Sequence, residues 1–167
     1  MTGWTLVAYG VPGPQGSKVM FPGGGSRESS KKVKPWRQDV KDAGLHLREQ
    51  GAPVLDGPIA VRMVFTLARP KSARKTDLHP TKYPDVSKLA RSTEDAITTA
   101  GLWADDARVC DYVRLAKVWA GFDGEALPMP GVLVMAEVIE PGEWLALAPE
   151  HGAAVAKQEW RRLGGAA

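Results

Sequence analysis

Cysteine is almost absent: Cys110 stands alone among 167 residues, so the chain can form no internal disulfide and needs no oxidising compartment. Its setting, Arg108-Val109-Cys110-Asp111-Tyr112-Val113, is strand-like, which predicts a buried core thiol rather than a catalytic one. No apolar run approaches the ~20 residues that span a bilayer, and residues 1–9 lack a basic stretch followed by an apolar one, so neither a membrane span nor a secretory leader is expected. Histidine is scarce, with three in the chain; His46 has no second histidine near it in sequence and reads as structural. The order Gly16-Ser17-Lys18 departs from the Gly-Lys-Ser/Thr of a phosphate loop, which excludes an NTPase reading and a nucleotide cofactor. These absences point to a soluble, cytoplasmic protein.

What is present fits one compact domain over residues 1–167, since 44% hydrophobic and 25% charged residues are enough for a real core. The formal charge is only +3, but its distribution is uneven: residues 1–91 carry 16 Lys/Arg against 7 Asp/Glu, and residues 92–167 carry 6 against 12. A basic portion beside an acidic one suits a polyanionic partner drawn in by long-range attraction, with carboxylates placed to hold cations.

Patterning outlines the elements. Trp4 to Tyr9 reads as a strand. The Gly/Ser/Lys-rich segment from about 15 to 34 reads as a mobile basic loop, with Lys18, Lys31, Lys32 and Lys34 available to phosphates. Pro35 to Glu49 is predicted to be a helix, with Trp36, Val40, Ala43 and Leu47 forming one apolar stripe. Ile59 to Leu67 alternates as a half-buried strand does. Residues 69–83 have no periodicity and form a second basic loop, carrying Arg69, Lys71, Arg74, Lys75 and Lys82. Asp85 suits the N-cap of a helix running to about Ala100, with Leu89, Thr93, Ala96, Ile97 and Ala100 on its buried face and Gly101 as the stop. Strands over Val109 to Trp119 and Val132 to Ile139 follow. A short helix over Ala153 to Leu163 lies in the C-terminal tail, about 141–167. The order predicts a mixed α/β (α+β) fold with one small mixed sheet packed with two main helices.

Acidic and cationic side chains concentrate between Pro84 and Asp106. Hydrolysing a phosphodiester requires neutralising a highly charged transition state and generating hydroxide near neutral pH, and magnesium on one or two carboxylates does both. Two adjacent aspartates such as Asp105 and Asp106 are eased by a nearby cation, although such pairs also occur in turns for local hydrogen-bonding reasons. The inventory is that of a nuclease.

The segments Pro84-Asp85-Val86-Ser87-Lys88-Leu89, Arg91, Asp95-Ala96-Ile97-Thr98, Ala100-Gly101-Leu102-Trp103 and Asp105-Asp106-Ala107-Arg108-Val109, with Asp111-Tyr112, resemble the RusA family of Holliday-junction resolvases over roughly residues 84–117. The resemblance implies a small dimeric endonuclease of the kind many phages encode, dependent on Mg2+, with Mn2+ as a substitute, that resolves four-way or otherwise branched DNA by paired symmetric nicks. By it, Asp85 corresponds to the first metal-binding aspartate and Asp106 to the catalytic aspartate of the paired motif, with Asp105 beside it. Asp95 falls at an acidic position. Arg91 stands where the family usually has a lysine, and Lys88 replaces a frequent asparagine. Ser87 falls where the family has its second aspartate, a departure that weakens metal binding and opens an alternative, a catalytically weak branched-DNA-binding protein. Asp85, Asp95, Asp105 and Asp106 are thus the implied metal ligands, and Asp85, Asp106, Arg91 and Lys88 the implied catalytic residues.

Overall fold

Strand formers at the N-terminus make β1 (Gly3–Tyr9), whose alternate residues Trp4, Leu6 and Ala8 are buried. A computed structural model of the protein describes residues 2–16, 18–20, 26–28 and 31–140, with 18–20 and 26–28 described by backbone alone. Residues 2–138 make one compact unit. The helix expected over Ala153 to Leu163 lies outside the described residues.

Where composition predicts a loop over 15–34, β2 (Lys18–Met20) and β3 (Ser26–Glu28) pair antiparallel as a two-stranded ribbon. Helix α1 (Val33–Glu49) then begins two residues before Pro35, which keeps proline in the first turn, where its missing N–H is not needed. It ends where Gly51 adopts a φ of 93°. After it come β4 (Ile59–Leu67), α2 (Val86–Ala100), β5 (Val109–Trp119) and β6 (Gly131–Val138). The sheet order is β1-β6-β4-β5, with β4 and β5 parallel and the other pairs antiparallel. This is a mixed α+β domain in which α2 is the crossover that parallel strands require.

Both helices cover one face of the sheet. Trp36 and Phe65 rings lie 6.4 Å apart, and Trp36 Nε1 donates to Thr93 Oγ1 at 3.0 Å, so the indole joins α1, α2 and the sheet from a fully packed position. Trp36 is thereby closed to base stacking, while Tyr83 is 68% exposed. Trp4 donates to the Leu102 carbonyl at 3.2 Å and packs against Trp103 at 5.8 Å.

Two sequence expectations are corrected here. Alternation along Ile59–Leu67 predicts one wet face, yet eight of its nine residues are buried. The connection after β5 folds across the second face: Leu127 N donates to Thr66 Oγ1 at 2.8 Å, and Glu125 accepts from Arg62. Cys110, expected in the core, is exposed. Eleven residues of β5 lie opposite nine of β4, and the register skips Cys110 and Val113, leaving both as bulge residues on an edge strand.

Beneath that second face Arg114 holds Asp123 and Glu125. The Arg114 guanidinium, helped by the Glu125 backbone N–H, holds the Asp123 carboxyl below its ordinary value of 3.8. A lowered folded pKa gives stability that is complete above the ordinary value and is lost as pH falls through the folded one. The difference in melting temperature between wild type and Asp123→Asn should therefore be wide at neutral pH and narrow progressively as the pH is lowered below the ordinary carboxylate value. Thermal melts at both extremes check this; an equal gap at each would remove the ion pair from the account.

Candidate functional site

The two acidic segments are placed by different devices. Asp85 occupies the N-cap of α2 with extended backbone (φ −70°, ψ 131°) but makes no capping hydrogen bond with its side chain; its carboxylate pairs with Lys88 Nζ at 3.3 Å. The expected cap position is occupied, and its oxygens remain available for other work. From the edge strand, Lys117 Nζ donates to the carbonyls of Lys82 and Pro84 at 2.6 and 2.8 Å and so ties down the backbone just before Asp85. On the other side, Gln15 N donates to the Lys88 carbonyl at 3.0 Å and Ser92 Oγ to the Gly13 carbonyl at 2.6 Å, which anchors the Pro-rich turn before the ribbon on the same stretch of α2. The ribbon thus starts beside the implied catalytic cations.

Helix α2 stops at Gly101, whose φ of 70° suits glycine; its N–H donates to Thr98 O, and Leu102 N donates to Ile97 O. The chain then pairs with Leu55, which donates to the Leu102 carbonyl and accepts from Ala104 N, both at 3.0 Å. Arg108 joins the same loop through Asp56 at 2.9 Å. Between these anchors lies a short 3-10 turn, Asp106–Arg108. Asp105 caps it, accepting from Ala107 N at 2.8 Å, while Asp106 is exposed and its carboxylate has no hydrogen bond or ion pair among the described residues. The adjacent aspartates therefore divide the labour. Asp105 shapes the turn and Asp106 presents a free carboxylate.

A residue that sequence reasoning missed lies within electrostatic reach of Asp106. Glu94, half-buried on α2, accepts a hydrogen bond from the Tyr112 hydroxyl. Burial pushes the Glu94 carboxyl up, the Tyr112 hydrogen bond pulls it down, and the neighbouring Asp106 and Asp95 push it further up. The Tyr112 hydroxyl is likewise held well above its usual range, by burial first and then by Glu94. The only clue in the sequence was Glu94 standing directly before Asp95, and that spacing cannot say which side of the helix meets β5.

Asp95 turns the other way, to α1, where it pairs with Arg37. Lys88 and Arg91 are exposed near the start of α2. Asp85 lies nine residues before Glu94, about 13 Å along a helix axis. Among the described residues no group of three or more His, Cys, Asp or Glu converges as a metal cage. Magnesium, however, usually takes one or two carboxylates and completes its shell with water and substrate phosphate. Asp106 beside Glu94 fits that kind of ion, although it does not make a closed protein site.

The cations expected to grip DNA are mostly free. Lys31, Lys32, Lys34, Lys71, Arg74, Lys75 and Lys82 are exposed. Arg69 is engaged in structure, donating to the Arg74 carbonyl and lying 5.1 Å over the Phe122 ring. The side chain of Lys18 lies outside the described residues. No helix among the described residues is long and apolar enough to cross a membrane.

A family model described as Endodeoxyribonuclease RusA matches residues 12–124. The match takes in both helices, both acidic segments and the ribbon, well beyond the stretch on which the resemblance was noticed. No curated protein matches the chain.

Proposed function

The chain belongs to the endodeoxyribonuclease RusA family, and from that premise we propose that it is a magnesium-dependent nuclease that resolves four-way DNA junctions by paired nicks as a homodimer in the cytoplasm. The observation that carries this reading is the free carboxylate of Asp106, held by a capped turn beside Glu94 and flanked along α2 by Arg91. A two-fold dimer offers two equivalent sites to a two-fold junction, which suits symmetric cutting.

Within this proposal Asp106 and Asp85 hold the ion, and Glu94 adds negative potential beside Asp106. When bound, magnesium supplies charge neutralisation at the scissile phosphate and a more acidic water. Arg91 stabilises charge developing on the phosphate oxygens, and Lys88, paired with Asp85, orients that carboxylate and adds a second cation. Arginine in place of lysine at 91 favours two-pronged contact with phosphate and removes a proton donor. Because Asp85 stands at the start of α2 and Asp106 neighbours Glu94, nine residues further along it, we place the Asp85 and Asp106 of one working site on different copies of the chain.

The test is cleavage of a synthetic four-way junction with magnesium and with chelator. Symmetric nicks with magnesium and none with EDTA are expected. Ser87, exposed on the first turn of α2 where a carboxylate would stand in the family, favours the second reading, a junction binder that cuts poorly. Tight binding without magnesium-dependent nicks would decide for it.

A further inference from the structure

Helices α1 and α2 run side by side in the same direction: Trp36 bonds Thr93, Arg37 pairs with Asp95, and Gly44 faces Ala100 so closely that an added Cβ would lie 2.7 Å from the alanine methyl. Along this seam lies an open groove of about 390 Å³, walled by Lys34, Arg37 and Lys41 on α1 and by Asp95, Ala96 and Thr99 on α2. Spacings of three and four put the three cations on one stripe, where like charges repel one another mildly. The stripe spans about 10 Å along the helix.

Its electrostatics are one-sided. Among the described residues, Asp95 is the one carboxylate lining the groove and is taken by Arg37, while Lys34 and Lys41 have no ion pair. Arg37 Nε is buried without a partner. Arg91 lies one helical turn before Asp95, on the same side of α2, and because the helices run in parallel the Lys34 end of the groove is the end nearest Arg91. A row of cations thus leads from Lys41 through Arg37 and Lys34 to Arg91 and Lys88.

The geometry points to this groove as a phosphate track: it holds the sugar-phosphate backbone of a DNA arm and leads it to Arg91. The inference rests on the nuclease reading and deepens it by naming where an arm lies. It also makes Asp95 a positioning residue, which steadies Arg37 across the seam.

Anisotropy titrations of a labelled four-way junction in EDTA, over a salt series, test it with wild type, K34Q/K41Q and K34R/K41R. Both lysines lie at the groove's α1 wall, and the substitutions leave Arg37 and Asp95 in place. The glutamine variant should bind about tenfold more weakly or worse near 0.1 M salt, with a salt slope smaller by about two for each protomer that holds an arm, since each lost phosphate contact removes about 0.9. The arginine variant should keep both values close to wild type. Unchanged affinity and slope in K34Q/K41Q, with a wild type that binds and cuts, would overturn the track and leave the nuclease reading standing. Equal weakening in K34R/K41R would mark a packing defect and overturn it too. A wild type that neither binds nor cuts would remove the nuclease reading and the track together.

Discussion

Asp106→Asn is expected to lower DNA cutting by about 10³-fold or more, the scale on which loss of one charge-stabilising group acts in an active site, while junction binding in EDTA is retained. The expectation follows from how the residue is held. Asp106 is exposed and has no partner among the described residues, and the turn that carries it is capped by Asp105. Amide for carboxylate therefore changes charge without disturbing packing, and the melting temperature should stay within about a degree, as for most surface changes. Removing an anion near the DNA path leaves affinity equal or slightly higher, because phosphates are repelled less. Cutting measured under single-turnover conditions separates the two effects. A variant that nicks the junction at the wild-type rate would take the reacting role away from Asp106.

The second large effect concerns where Asp85 comes from. Asp85→Asn and Asp106→Asn homodimers should each be inactive, yet a mixture unfolded and refolded together should recover about one quarter of wild-type nicking. The arithmetic is that of a two-fold dimer with shared sites. Half of randomly assembled dimers are mixed, and in each of those one site unites the intact Asp85 with the intact Asp106 while the other holds both substitutions. Such a dimer has a single competent site, so the product should be single nicks rather than resolved junctions. Absence of any recovery would show that Asp85 and Asp106 act within one chain. The structural ground for the expectation is the distance along α2: Asp85 stands at the N-cap position and pairs with Lys88, whereas Asp106 acts on Glu94, about 13 Å further along the helix.

Much of this architecture was legible in the chain. Ile59–Leu67 and Val109–Trp119 are strands over the bounds that patterning predicts, and α2 runs from Asp85 to Gly101 as its cap and stop residues require. Leu89, Thr93, Ala96, Ile97 and Ala100 are all buried, as 100° spacing demands. The ribbon of β2 and β3 was not legible, because its Gly/Ser/Lys composition carries no strand signal. The site divides the same way. The residue types at Asp85, Arg91, Asp105 and Asp106 raise the expectation of phosphodiester chemistry, but residue type alone does not say which of two adjacent aspartates caps a turn and which is left free.

Tertiary structure placed the neighbours of α2 through β5. Tyr112 and Lys117 are five residues apart, so strict alternation would send them to opposite faces. The bulge at Val113 shifts the phase by one, which pairs Tyr112 with Val61 and Lys117 with Phe65 and puts both side chains on the helix side, one reaching Glu94 and the other the backbone before Asp85. It also leaves Arg114 on the far face to hold Asp123 and Glu125. Helix limits and strand limits rest on periodicity and end residues within a few positions of one another, and these the sequence determined by itself. Which acid meets Tyr112 and which cation meets Asp95 depend on the register between segments tens of residues apart, and that register is set only when the whole core packs.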